Sequence, residues 1–287
     1  MNNDSLLDRL IDYAGLFPPA SLGMGEALDE YRDAAAGRFA WMLGPFLCPA
    51  RRLGELLVTL AGKDHTPLPL GAIMASVDDL PLVASWVEGA STVRLEQVEL
   101  PMPDDMSPIF EHLAHLEPPP QVYLEVRTDQ ASTVPRPDAI EVCGKVRCGG
   151  ATADAFPTPE MLAGFVTAAV SHRLSFKATA GLHHSFRHFD ETIGAWQHGF
   201  VNLIAAVQAS VGGADLEDVV AVLEITDGER FRFGSGGGLA WVGGYDDVDP
   251  AAVRAVLRSY GSCSFSEPTH DLVSAGLLTP DGTLAAP

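Results

Sequence analysis

Short apolar segments alternate with longer amphipathic segments along almost the whole chain. The apolar segments have the length and the β-branched content of buried strands, whereas the segments between them repeat apolar residues every three or four positions, as helices do. Eight strands are predicted: Leu10 to Phe17, Ala40 to Cys48, Leu70 to Ser76, Thr92 to Leu100, Gln121 to Thr128, Ile140 to Cys148, Leu174 to Gly181 and Ser259 to Phe265. The predicted helices are Met24 to Ala36, Arg51 to Ala61, Leu80 to Val87, Met106 to Leu116, Pro159 to His172 and Glu191 to Val211. This alternation predicts an α/β fold, a (β/α)8 TIM barrel.

The segment before the last strand is longer than one helix requires. Residues 215–258 predict a helix, a hairpin from Phe231 to Val242 and another helix starting near Asp249. The run Gly234-Ser235-Gly236-Gly237-Gly238 predicts the hairpin turn, because no Lys-Ser or Lys-Thr pair follows it as in a phosphate loop. We expect one domain over residues 1–287, with 215–258 as a small helix–hairpin–helix insertion.

Composition narrows the function classes. The chain has 38 acidic and 18 basic residues and a net charge of −20, which argues against nucleic acid and anionic membranes as partners. No run approaches the ~18 apolar residues of a membrane span, and the start lacks the basic and apolar regions of a secretory signal. The cysteines are scattered and predict reduced thiols: Cys48, Cys143, Cys148 and Cys263. A cytoplasmic protein is expected, and a homo-oligomer is compatible with the sequence.

Charged residues concentrate on the strand face that is expected to line the barrel lumen. Side chains alternate between the two faces of a strand, so Val122, Leu124 and Val126 predict which face of the fifth strand meets the helices. The same reasoning on the fourth to seventh strands gives these lumen residues: Arg94, Glu96, Gln121, Tyr123, Glu125, Arg127, Glu141, Cys143, Lys145, Arg147, Ser175, Lys177 and Thr179.

This charged lumen predicts a function. A structural barrel interior is built from Val, Ile and Leu, and an unpaired buried charge costs several kcal/mol. The chain has only three lysines, Lys63, Lys145 and Lys177, and two of them are predicted to face the lumen. A positive cluster inside an acidic protein indicates a small anionic metabolite with a carboxylate or phosphate group as the partner. The structural alternative is a set of ion pairs or solvated rim charges.

Four motifs in order along the chain carry a family resemblance. Lys145-Val146-Arg147-Cys148-Gly149, Lys177-Ala178-Thr179-Ala180-Gly181 and Gly261-Ser262-Cys263-Ser264 end the sixth, seventh and eighth predicted strands, and Ile11-Asp12-Tyr13 lies in the first. They resemble the Lys-x-x-x-Gly, Lys-Ala-Ser-Gly-Gly, Gly-Thr-Ser-Ser and Ile-Asp-His segments of the deoxyribose-phosphate aldolase branch of the class I aldolases. The chain departs from this pattern at Arg147, which replaces a small hydroxylated residue, at the turn with His183 and His184, and in lacking a secure counterpart of the catalytic aspartate.

The resemblance implies a carbon–carbon lyase that works through a lysine Schiff base, without a cofactor or a metal. A neighbouring cation lowers the pKa of a lysine, so we expect Lys145 as the nucleophile and Lys177 as its partner and proton carrier, or the reverse. Glu125 or Glu96 is the expected general base, and Tyr123 is expected beside the lysines. The expected substrate-binding residues are Asp12, Arg94, Arg127, Arg147, Thr179, Gly181, His183, His184, Gly261 and Ser262.

Two other functions remain open from the sequence. One is a metal-assisted or lysine-based proton-transfer enzyme, with Glu96 and Glu125 as ligands and contributions from His183, His184 and His188. The other is a barrel that binds an anionic metabolite without catalysis, since fold does not imply function.

Overall fold

Eight parallel strands close into a barrel. The computed structural model describes residues 5–62, 66–234, 237–241, 244 and 247–285. In chain order the strands are β1 (Ile11–Tyr13), β2 (Leu43–Pro49), β3 (Leu68–Ile73), β4 (Val93–Pro101), β5 (Gln121–Val126), β6 (Val142–Arg147), β7 (Phe176–Thr179), β8 (His188–Asp190), β9 (Ala195–Gln197), β10 (Phe231–Phe233), β11 (Leu239–Trp241) and β12 (Leu257–Ser262). Strands β1 to β7 pair in sequence, and β12 closes the barrel between β7 and β1. The predicted (β/α)8 barrel is confirmed.

Helices surround this barrel. They are α1 (Met24–Ala36), α2 (Leu53–Leu60), α3 (Leu80–Val87), α4 (Ser107–Leu113), α5 (Pro159–Ser171), α6 (Phe200–Val211), α7 (Leu216–Leu223), α8 (Pro250–Val256) and α9 (Ser266–Ser274). Local capping explains several starts: the Thr158 hydroxyl accepts from the Met161 N–H ahead of α5, and Asp215 accepts from the Asp218 N–H ahead of α7. Within the described residues, every helix is too short or too polar to cross a bilayer.

The apolar core lies between the strands and the helices. Val122, Leu124 and Val146 point outward and are buried, and Phe176 of β7 meets Phe165 of α5 edge to face at 5.0 Å between ring centroids. The opposite face of the same strands turns into the barrel, which is where the charged residues of β5 to β7 lie.

The helix predicted from Glu191 to Val211 is wrong in its first half. Residues 188–197 form the antiparallel hairpin β8–β9, and α6 begins only at Phe200. The Asp190 carboxylate accepts from the N–H groups of Thr192 and Ile193, and Gly194 has a φ of +73°. An Asx turn followed by a left-handed glycine stabilises a hairpin in competition with a helix.

The segment 215–258 contains α7, the hairpin β10–β11 and α8. The hairpin pairs Phe231 with Trp241 and Phe233 with Leu239. Ser235, Gly236 and Val242 of the predicted hairpin lie outside the described residues.

Candidate active site

An irregularity in β4 decides which of its side chains reach the lumen. Leu70 of β3 lies opposite Leu95, but the next residue, Gly71, lies opposite Gln97, so Glu96 is an extra residue in β4. Such a bulge shifts the alternation of side chains. Beyond it Gln97 and Glu99 are buried in the lumen.

Glu96 and Arg94 were expected in the lumen beside the lysines, and the structure places both elsewhere. They form an ion pair with each other at 2.5 Å, and Glu96 also pairs with Arg9. This group lies at the N-terminal mouth of the barrel, since Glu96 lines a cavity there with Arg9 and Ser5. Glu96 is therefore not the base beside Lys145.

Two lysines share one buried carboxylate in the middle of the barrel. The Lys177 Nζ lies 2.5 Å from Glu99 Oε1 and also contacts Asp12 Oδ2. The Lys145 Nζ lies 2.9 Å from Glu99 Oε2 and 3.1 Å from Glu125 Oε2. Lys145 is opposite Lys177 in the β6–β7 register and opposite Glu125 in the β5–β6 register. Negative and positive groups thus alternate from Asp12 to Glu125, and we call these five side chains the lumen charge network.

Two polar side chains, Gln97 and Ser259, donate hydrogen bonds to the buried carboxylates of this network. Gln97 Nε2 donates to Asp12 at 3.1 Å and to Glu99 at 3.0 Å, and the Ser259 hydroxyl donates to Asp12 at 2.8 Å. Asp12 was expected to bind substrate, but its Oδ2 atom is occupied by these donors and by Lys177. The carboxylate is buried.

The aromatic ring of Tyr123 packs against the ammonium group of Lys177. The Lys177 Nζ lies 5.2 Å from the ring centroid, which is the geometry of a cation–π contact. The Tyr123 hydroxyl donates to Gln121 at 2.9 Å.

The charges of the network determine its protonation states. Burial raises the pKa of Glu99, but the ammonium groups of Lys145 and Lys177 oppose this more strongly and lower the pKa to about 2. Burial lowers the pKa of Lys177, but Asp12 and Glu99 raise it above its ordinary value. Glu99 is therefore an anion and Lys177 a cation at neutral pH.

Exposure distinguishes the two lysines. The Lys177 side chain is 0% exposed and the Lys145 side chain 9%, whereas Glu125 is 31% exposed. Arg147 lies farther out, with Nη1 3.9 Å from Glu125 Oε2. A cavity of about 250 Å³ at the carboxyl ends of β5 and β6 is lined by Glu125, Arg127, Arg147 and their neighbours. Lys145 is thus the lysine closer to this C-terminal mouth.

The other residues expected to bind substrate are distributed around the carboxyl ends of β5, β7 and β12. Thr179 lies opposite Gly261, and the Ser262 hydroxyl donates to the Ser264 carbonyl at 2.6 Å. Gly181 has a φ of +69°. Arg127 is exposed and pairs with Asp129.

His183 and His184 both contact acidic side chains of α9. His183 Nδ1 lies 3.6 Å from Glu267, and burial lowers the pKa of this histidine. His184 Nδ1 lies 3.3 Å from Asp271, and its ring meets that of His188 at 4.4 Å. None of these contacts joins a histidine to the lumen charge network.

The ligands suggested for the metal alternative do not come together. Glu96 and Glu125 lie at opposite mouths of the barrel. Over residues 5–62, 66–234, 237–241, 244 and 247–285, three or more His, Cys, Asp or Glu side chains nowhere form a group that could hold a metal ion.

Comparisons of the chain with models of known protein families, with curated proteins and with solved structures find no match.

Proposed function

We propose that this protein is a carbon–carbon lyase of the class I aldolase kind, in which Lys145 forms a Schiff base with a small anionic carbonyl substrate. The observation that carries the proposal is the pair of lysines on the two oxygens of Glu99, with Lys145 nearer the C-terminal mouth. Active sites of TIM-barrel enzymes lie at that mouth.

The two lysines have different tasks in this proposal. Lys177 is enclosed by Asp12 and Glu99 and stays protonated, so it cannot attack a carbonyl. Lys145 lies opposite Lys177 in the β6–β7 register and is the more exposed of the two lysines. Glu125, 3.1 Å from Lys145 and partly exposed, is the group that accepts the Lys145 proton.

The reaction then follows from the chemistry of an imine. The neutral Lys145 Nζ adds to the substrate carbonyl. Glu125 returns the proton it took from Lys145 to the hydroxyl of this adduct, and loss of water gives an iminium ion and leaves Glu125 as a carboxylate. The bond between the α and β carbons breaks with its electron pair moving into the iminium as an enamine, while Glu125 takes the proton of the β-hydroxyl and an aldehyde leaves. Glu125 then gives this proton to the α carbon of the enamine, and hydrolysis of the resulting iminium ion releases the second product and regenerates Lys145.

Arginine at the mouth supports an anionic substrate. Arg147 and Arg127 line the C-terminal cavity beside Glu125. A guanidinium binds a carboxylate or phosphate through two parallel N–H bonds. Glu99 further supports the resemblance to the aldolases, because it supplies a carboxylate between the lysines where the sequence alone offered no secure counterpart of the catalytic aspartate.

A lysine-based proton-transfer enzyme is the second candidate. It is favoured by the position of Lys145 between two carboxylates, Glu99 and Glu125, which are within proton-transfer distance of its amine. In that function Lys145 gives a proton to the bound substrate instead of attacking its carbonyl.

Borohydride trapping separates these candidates. Incubation with glyoxylate, pyruvate or glyceraldehyde 3-phosphate and then borohydride should add the mass of the reduced adduct to the peptide that contains Lys145, and the peptide that contains Lys63 is the internal control. Lys145→Arg should abolish trapping, because guanidinium stays protonated at neutral pH. Lys177→Arg keeps the neighbouring charge and should retain part of it, whereas Lys177→Met should move trapping to higher pH.

Two outcomes contradict the Schiff-base proposal. If Lys145→Arg is trapped as efficiently as the wild type, the nucleophile is another residue. If wild-type protein is not trapped but exchanges the α-protons of a carbonyl compound with D2O, the function is proton transfer.

A further inference from the structure

The N-terminal mouth of the barrel contains a second cavity, opposite the proposed active site. Its volume is about 480 Å³, within the range of ~300–1,000 Å³ typical of small-molecule sites. Its lining includes Asp12, Gln121 and Tyr123 and three arginines, Arg9, Arg254 and Arg258. The lumen charge network separates this cavity from the C-terminal mouth.

Arg254 brings a positive charge to the cavity without an ion-pair partner in the described part of the chain. Its guanidinium donates to the carbonyl oxygens of Leu257 and Asp8, each at 2.9 Å. An arginine has five N–H donors, so these two bonds leave three. Burial lowers the pKa of Arg254 to about 10, and the group remains charged at neutral pH.

Arg258 has a donor that lacks an acceptor. Its Nη2 donates to Glu141 at 2.7 Å, but its Nε is buried and has no hydrogen-bond partner among the described residues. A buried donor without an acceptor is unfavourable, so the Arg258 guanidinium gains by turning toward an acceptor bound in the cavity that it lines.

We propose that this cavity binds a small oxyanion, a compound with a carboxylate or phosphate group, between Arg254 and Arg258. Charge-assisted bonds from guanidinium to these groups are among the strongest in proteins. The site is separate from the proposed active site, because TIM-barrel chemistry takes place at the C-terminal face. The occupant is therefore a ligand other than the substrate, and it lies beside Asp12, the carboxylate that holds Lys177.

Most of the acidic side chains that line the cavity are paired with cations, so they do not oppose a bound anion. Asp12 is neutralised by Lys177, and Glu96 by Arg9 and Arg94. Asp8 also lines the cavity, and its negative charge opposes an anion there. The substitutions Arg258→Gln and Asp8→Asn should therefore change anion affinity in opposite directions.

Calorimetric titration with malonate and with inorganic phosphate, at constant ionic strength, tests the site. Wild-type protein should bind one equivalent of at least one of the two anions, and which of them binds tells a carboxylate from a phosphate ligand. Arg258→Gln should weaken binding about 10-fold or more, and Arg258→Lys, which keeps the charge but lacks the Nε donor, should weaken it less. Asp8→Asn should tighten it. The matched control Arg51→Gln removes an exposed charge away from the cavity and should leave the affinity unchanged.

The proposal is overturned if neither anion binds saturably. It is also overturned if Arg147→Gln abolishes binding while Arg258→Gln does not, because the anion then occupies the C-terminal mouth. Neither result depends on imine trapping. The proposal of an anion site can therefore be wrong while the Schiff-base proposal holds, and the reverse.

Discussion

Glu99 stabilises both lysines of the lumen charge network. Each of its oxygens accepts from a different ammonium group, and Gln97 adds a further donor. Burying two ammonium ions is costly, and the cost is offset only where carboxylates with good geometry lie against them. Without Glu99, Lys145 keeps its contact with Glu125 and Lys177 keeps its contact with Asp12. The two ammonium groups then face each other with no carboxylate between them.

We predict that Glu99→Gln destabilises the protein by about 3–5 kcal/mol at pH 7, because it breaks a buried ion pair. The pKa of Glu99 is lowered in the folded state to about 2 from an ordinary 4.5, so its contribution is complete above pH 4.5 and is lost as the pH falls toward 2. The difference in unfolding free energy between wild type and Glu99→Gln should therefore shrink by about 2 kcal/mol between pH 7 and pH 3. Urea unfolding at both pH values measures it.

The control for this prediction is Glu125→Gln, at the partly exposed end of the network. It should cost less stability at pH 7 than Glu99→Gln. A wild-type to Glu99→Gln difference that stays the same from pH 7 to pH 3 contradicts the assignment of Glu99 as the strongly ionised group.

At the scale of elements, the strands could be predicted from the sequence, but the shift in side-chain alternation within β4 was not predicted. Val93 and Leu95 face outward at odd positions, whereas Val98 and Leu100 do so at even positions, and this shift was the available signal for the bulge at Glu96. Uniform alternation from Val93 placed Glu96 in the lumen and left Glu99 unnoticed. Lys145 and Lys177 were found because β6 and β7 alternate without interruption through these positions.

Long-range pairs could not be derived from strand patterns at all. The contact of Lys177 with Asp12 joins residues 165 positions apart, and it exists only because β12 closes the barrel between β7 and β1. Alternation gives the face on which a side chain lies, but its height along the barrel axis depends on the register between strands. That height separates Glu96 at one mouth from Glu125 at the other.

The loops after β6 and β7 meet at two glycines, and this contact gives a second prediction. A Cβ on Gly181 would lie 2.8 Å from the Cys148 carbonyl oxygen and 3.0 Å from Gly149 Cα, and Gly181 has a φ of +69°. Gly181→Ala should destabilise the protein by about 1–3 kcal/mol and lower the proposed activity, because it strains the backbone and separates loops that border the C-terminal mouth.

Gly164→Ala is the matched control. Gly164 lies inside α5, and a Cβ there meets nothing within 4 Å. The same change should therefore stabilise the protein by roughly 0.5–1 kcal/mol, since alanine is the better helix former. Thermal unfolding of both variants gives the two signs, and a stabilised Gly181→Ala would show that the loops do not touch as described.

At the scale of the whole molecule, the lumen charge network connects the barrel across its axis. Its members come from β1, β4, β5, β6 and β7, and Ser259 adds β12. One end lies at the anion cavity proposed for the N-terminal mouth and the other at the proposed active site. Within a protein of net charge −20, the guanidinium groups at the two mouths are the positive groups at which we propose that anions bind.

The segment 215–258 is attached to the barrel by buried amide side chains of α6. Asn202 Nδ2 donates to the carbonyls of Val222 and Ile225 at 2.9 and 2.8 Å. Gln208 donates to the Leu239 carbonyl at 2.6 Å and accepts from the Leu239 N–H at 3.0 Å. Since α6 also packs on the barrel, we propose that the segment is an insertion within one domain spanning residues 1–287.

One domain predicts one cooperative unfolding transition. Urea unfolding followed by far-UV circular dichroism and by tryptophan fluorescence should give the same midpoint, and Trp241→Phe identifies the part of the fluorescence change that reports on the buried tryptophan of the segment. Gln208→Leu leaves both backbone groups of Leu239 without their partner and should lower the unfolding free energy of this single transition by about 2 kcal/mol. An independent segment behaves differently: the Trp241 signal changes at its own urea concentration, and Gln208→Leu moves only that transition while the circular dichroism of the barrel stays at the wild-type midpoint. If both probes give one midpoint and that midpoint falls in Gln208→Leu, the loss of the two hydrogen bonds at Leu239 destabilises the barrel together with the segment. In that case α6 is the element that couples the two.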